Sequence, residues 1–197
     1  MSKALGVVVA TILCFGLSAA VALAAPQEHA AWWFVEQSPV PVTLGDSGWS
    51  DPSVGTWDPA TRTAALTVEL ARPIQIAAGN LTLDGSGHTV SGSGSGDGVV
   101  INGYSGVTVR NLTVRGFSRG FYLANASAIV LAENNAAGNT YGIYLNSQAT
   151  GVQLLRNTAS NNNYGIFLSY ANANLLEGNR AENNRYHGIH IERCGSH

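Results

Sequence analysis

Hydrophobic and polar positions alternate in short runs along the second half of the chain. Val107/Val109, Phe121/Leu123, Ile129/Leu131, Ile143/Leu145, Ile166/Leu168 and Ile189/Ile191 are spaced by two. That period puts alternate side chains on one face and predicts half-buried strands. No stretch of this region carries the period of a helix. The runs also repeat. Gly98, Gly120, Gly142, Gly165 and Gly188 follow one another at intervals of 22, 22, 23 and 23. Val109, Leu131, Leu154 and Leu176 keep the same step, as do Val114, Ala136, Ala159 and Ala181. Val107, Ile129 and Val152 form a further column, broken at Asn174. Several columns sharing one period predict stacked repeating units. Each unit holds two clear strands and a third, very short one near Ala136 or Ala159. The fold class expected is all-β: a single-chain right-handed parallel β-helix of ~22–23 residues per coil, with coils about 4.8 Å apart. Leucine-rich repeats share the period and the pattern Ile129-x-Leu131-x-x-Asn134. Their second half is a helix-like return, whereas here it is a glycine-led strand, YGIYL or YGIFL.

The polar positions repeat as well. Asn134, Asn157 and Asn179 share one column, with Leu112 in the first place, and Asn139, Asn162 and Asn184 share another. A coil must turn sharply, and Asn and Gly tolerate left-handed backbone angles. Stacking lays each Asn over its copy, so two amide ladders are expected at two corners. On this reading the asparagines are structural.

The stretches YSGVTVRNLTVRGFSRGFYL, its two successors and LTLDGSGHTVSG (81–92) resemble the repeats of the NosD-like and carbohydrate-binding sugar-hydrolase families. The likeness covers about residues 75–197. It implies a right-handed parallel β-helix. It leaves function open, because that fold hosts lyases, hydrolases, epimerases, copper-linked accessory proteins and surface proteins.

The rest of the chain differs. Residues 1–24 hold Lys3, an apolar run and Ala22-Leu23-Ala24, the pattern of a secretory signal peptide. An uncleaved membrane anchor is the alternative, since the run approaches the ~20 residues needed to span. Residues 25–62 contain Trp32, Trp33, Trp49 and Trp57 with most of the prolines. They are expected to form an irregular segment capping the open first coil, or alternatively a sugar platform. Coils then run over 63–197, beginning with strands at Ala65–Glu69 and Pro73–Ile76. Ser91–Gly98 reads as a loop between coils. The last strand is followed only by ERCGSH, so an open final coil, a fragment, or end-to-end self-association is expected there.

Loss of the signal leaves nine arginines against twelve acids, a charge of −3. This is no footprint for nucleic acid. Cys194 then has no partner for an intrachain disulfide.

Candidate chemistry is sparse. Glycosidases need two carboxylates about 5–10 Å apart. Beyond Gly98 the acids are Glu133, Glu177, Glu182 and Glu192, and no two fall in the same or neighbouring columns of adjacent coils. Glu133 sits one coil from Arg156 and predicts a salt bridge. Asp84 and Asp97 lie in turns, with turn formation or Ca²⁺ binding as their roles. Alternation points Tyr122, Tyr144, Phe167 and His190 outward in one column. Such a stripe either holds sugar rings or stabilises itself by cross-strand contact. His187, His190, Cys194 and His197 are metal-ligand types at close spacing, and the NosD-like resemblance makes copper the metal to test. Asn80, Asn111 and Asn125 begin glycosylation sequons that an Asn-rich repeat produces by chance. The expected product is a secreted, periplasmic or cell-surface scaffold, free of the membrane after signal cleavage. It is expected to be non-catalytic and to bind polysaccharide. Its alternatives are a carbohydrate-active enzyme with acids beyond residue 197, or a NosD-like copper accessory protein.

Overall fold

The computed structural model describes residues 40–194. The signal peptide assigned to 1–24, Trp32, Trp33 and His197 lie outside them. The strands are β1 Val42–Gly45, β2 Gly48–Trp49, β3 Gly55–Asp58, β4 Thr63–Leu66, β5 Ile74–Ile76, β6 Thr82–Asp84 and β7 Thr89–Ser91. Then come β8 Asp97–Asn102, β9 Thr108–Arg110, β10 Thr113–Arg115, β11 Arg119–Ala124, β12 Val130–Ala132, β13 Asn135–Ala137 and β14 Tyr141–Asn146. The last are β15 Gln153–Leu155, β16 Thr158–Ser160, β17 Tyr164–Ser169, β18 Leu175–Glu177, β19 Arg180–Glu182 and β20 His187–Glu192.

Successive strands do not pair with one another in the repeat region. Each pairs in parallel with its counterpart one coil away, giving three sheets that run the length of a β-solenoid of about 6 turns. The largest sheet orders β2-β1-β5-β8-β11-β14-β17-β20. The other two are β3-β4-β6-β9-β12-β15-β18 and β7-β10-β13-β16-β19. The parallel β-helix expected from the repeat is the observed fold, including the short third strands at Ala136 and Ala159. Crossovers between parallel strands are right-handed in nearly all proteins.

The repeat columns become the core. Val109, Leu131 and Leu154 are fully buried in one sheet, Val114, Ala136 and Ala159 in the second, and Phe121, Ile143, Ile166 with Leu123, Leu145, Leu168 in the third.

The corners behave as the asparagines predict, with one change. Asn157 Oδ1 accepts from the Asn134 N–H at 3.0 Å and the Asn134 side-chain amide at 3.1 Å. Asn179 repeats this toward Asn157 at 2.9 and 3.0 Å. The second ladder joins Asn139, Asn162 and Asn184 in the same manner. The left-handed residue, however, is the one before each ladder Asn: Glu133 and Arg156 at one corner, Gly138 and Asn161 at the other. The ladder Asn supplies hydrogen bonds, and its predecessor supplies the turn. Asn174, where an apolar column broke, accepts from the Val152 N–H at 2.9 Å and starts the same bonding at the third corner.

Residues 42–58, expected to be irregular, form strands. β1 lies parallel to β5, so the largest sheet already includes it. β2 turns back antiparallel on β1, and β3 on β4. β2 thereby pairs with the backbone edge of β1, and β3 with that of β4. Trp49 is buried there and donates from Nε1 to the Thr56 carbonyl at 3.1 Å. The first coil strands are Thr63–Leu66 and Ile74–Ile76, slightly displaced from the expected spans. At the other end, Leu175, Ile189 and Ile191 of the last described coil are each about half exposed.

Candidate functional site

The glycine column decides what the largest sheet presents outward. Gly120, Gly142, Gly165 and Gly188 lie inside β11, β14, β17 and β20, not before them. None has a positive φ. A Cβ on Gly142 would meet the Gly165 carbonyl oxygen at 2.6 Å and the Asn162 amide nitrogen at 2.8 Å. Glycine is required because the next coil and the ladder press against it. Here alternation slips: in β11 both Gly120 and Phe121 are buried, while Arg119 and Tyr122 face outward.

Two outward columns result. One is Tyr122, Tyr144, Phe167, His190, in register on adjacent strands. The other is Asp97, Arg119, Tyr141, Tyr164, His187. Strict period-two reading turns this second column inward, so it was missed. The Tyr-Gly pairs in TYGIYL and NYGIFL were the available signal.

The columns mesh. Tyr141 and Tyr164 stack with centroids 5.1 Å apart and planes 9° apart. Tyr144 meets Phe167 edge to face at 5.1 Å, and Tyr164 meets Phe167 likewise at 5.3 Å. Phe167 and His190 stack at 4.7 Å and 4°. Phe167 is consequently only 8% exposed, covered by its neighbours. Tyr122, Tyr141, Tyr144, Tyr164 and His190 remain partly open. Arg119 closes one end: its guanidinium carbon lies 3.6 Å from the Tyr122 ring centre, and Nη2 is 2.8 Å from Asp97. Burial works against the Arg119 charge, and the Asp97 carboxylate more than offsets it, holding the pKa above the ordinary value. Burial, with the neighbouring Tyr141 and Tyr122, pushes the Tyr144 phenol up, so it stays a proton donor at neutral pH.

The histidines converge only in part. The His187 and His190 rings are 4.9 Å apart. His190 Nε2 is 3.6 Å from Glu192 Oε2. Cys194 does not join them: its thiol donates to the Glu192 carbonyl at 3.2 Å, and its side chain packs against the core. Among the described residues no three His, Cys, Asp or Glu form a group able to hold a metal.

Two further carboxylates are engaged away from this face. Glu133 binds Arg156 at 2.8 Å, the rung-to-rung bridge expected from the columns. Asp84 accepts from Ser86 N–H at 2.8 Å and Arg110 Nε at 2.9 Å. The shifted carboxyls all move down. The Ser53 hydroxyl and Arg72 lower Asp51; the Thr61 hydroxyl and Ala60 N–H lower Asp58; the Thr89 N–H lowers Glu69. For Asp84, burial pushes up and is outweighed by Ser86, Asn111 and Arg110. A general acid at neutral pH needs the opposite shift.

The family described as periplasmic copper-binding protein (NosD) matches residues 72–197. This chain belongs to the NosD family. Comparison of the NosD-family chain with curated proteins and with solved structures gives no match. Copper is what the family description names; among the described residues the His187 and His190 rings lie side by side. A closed site of three or more His, Cys, Asp or Glu ligands is not formed by them. Among the described residues no helix is long and apolar enough to cross a membrane.

Proposed function

We propose that this NosD-family protein works in the periplasm as a non-catalytic accessory scaffold, and that its aromatic face grips polysaccharide. The observation that carries this is the two-column face, spread over β11, β14, β17 and β20 on a backbone locked by two amide ladders. Flat parallel coils hold the side chains at a fixed step, so a chain-like ligand can lie along several coils at once. Where two rings lie face to face, those faces are closed to a ligand. Ring edges, phenol hydroxyls and imidazoles are left to meet a hydroxyl-rich polymer.

Affinity electrophoresis against a panel of polysaccharides tests the reading. Retardation by at least one polymer is expected, with at least a tenfold loss in Tyr144→Ala and none in Tyr170→Ala. A panel without any retardation sinks it. A second reading, copper handling, is supported by the 4.9 Å approach of His187 and His190 together with the family description. Copper titration unchanged in His190→Ala removes that reading.

A further inference from the structure

Arg115 is the exception among nine described arginines. Six are paired with carboxylates, namely Arg62, Arg72, Arg110, Arg119, Arg156 and Arg180. Arg185 and Arg193 lie over the rings of Tyr186 and Tyr170. Arg115 makes one contact, from Nε to Ser91 Oγ at 3.2 Å. It keeps four of its five N–H donors and its whole charge.

This side chain borders a groove of about 370 Å³ lined by Ser91, Gly92, Arg115, Gly116, Ala137 and Gly138. The groove follows the corner between the alanine-rich sheet and the aromatic one. Ser91, Arg115, Ala137, Ser160 and Glu182 are in register down that sheet. Glu182, the first acid below Arg115 in this column, is three coils away, about 14 Å, and is held by Arg180. At that distance solvent ions screen the pair. Glu69, beside the start of β7, is engaged by the Thr89 N–H at 2.7 Å and by His88.

The floor is open for a reason other than backbone geometry. The Gly138 corner has φ +67°, yet Asn161 and Asn183 take the same corner position in later coils at φ 56° and 54°. Asparagine is therefore tolerated there. Gly116 needs glycine, since a Cβ would strike the Gly92 oxygen at 2.7 Å. Gly138 does not: a Cβ there meets nothing within 4 Å. The small residue leaves space beside a charge without a counterion.

We propose that this corner is a binding site for an oxyanion, the carboxylate of a sugar acid or a phosphate, with Arg115 as the anchor. A planar fork of donors matches either group. The proposal is independent of the polysaccharide reading of the aromatic face.

The test is amide NMR of the full chain titrated with inorganic phosphate and, separately, with galacturonate, with sodium chloride and glucose as controls. Saturable shifts at Gly92, Gly116 and Gly138 are expected for at least one oxyanion and for neither control. The oxyanion that saturates names the source. Arg115→Gln should weaken binding at least fivefold. Gly138→Asn, which copies the corner at Asn161, should keep the fold and weaken binding as well. Shifts matched by chloride, or retained in Arg115→Gln, mean an adventitious ion only and overturn the proposal. So does the absence of saturable shifts.

Discussion

At the scale of single residues, hydrogen-bond pairing and close contact decide what is allowed. Asn157 is fully buried and serves four partners: the Asn134 N–H and side-chain amide, the Leu131 carbonyl and Asn179 Oδ1. Replacing it by alanine strands a buried N–H and a buried carbonyl, each worth about 1–3 kcal/mol. Asn157→Ala is expected to lose roughly 3 kcal/mol, read as a lower thermal midpoint. A fall within error of wild type would mean water replaces the amide. Gly142→Ala tests the opposite limit, excess volume. Its Cβ has a carbonyl oxygen 2.6 Å away, and overpacking of this kind costs about 1–3 kcal/mol. Tyr144 shows how far a residue role was legible. Its outward direction followed from alternation. Tyr141 and Tyr164 were not legible as its companions, because the slip at glycine depends on contact with the next coil.

At the scale of elements, strands were read well where they repeat and poorly where they do not. β9 to β19 follow columns visible in the chain. β1 to β3 do not share the columns, and no local signal tells the parallel strand β1 from the antiparallel pairings of β2 and β3. Trp49 ties these hairpins together through its buried ring and its bond to Thr56. Trp49→Ala is expected to lose about 3 kcal/mol, with chemical denaturation reporting the loss. An unchanged midpoint would show the hairpins to be dispensable. Phe167 carries a related lesson. As a member of a repeat column it was expected to be an open contact for sugar. Between Tyr144, Tyr164 and His190 it is covered, so its aromatic neighbours form the outward edge of this face.

For the whole molecule, several carboxylates are held by hydrogen bonds and by arginines, and this sets the response to acid. The folded-state pKa of Asp84 lies below its ordinary value, as do those of Asp51, Asp58 and Glu69. A depressed carboxyl contributes stability that is complete above the unfolded pKa of about 4 and is lost as pH falls through the folded value. The protein is therefore expected to lose stability on acidification below about pH 4. Asp84→Asn should lower stability at about pH 7 and flatten part of the acid loss, as thermal midpoints across pH would record. The same slope in wild type and variant would remove Asp84 from this account. What the chain by itself determined is the periodic part: the coil length, the three inward columns, the two amide ladders and the Glu133–Arg156 rung. These follow from spacing alone, because stacking copies each position onto itself. Only the tertiary structure decided the strands within 42–58, the width of the aromatic face, the burial of Phe167 and the open corner beside Arg115. Each of these depends on how closely one coil approaches the next, a distance that no local run of residues encodes.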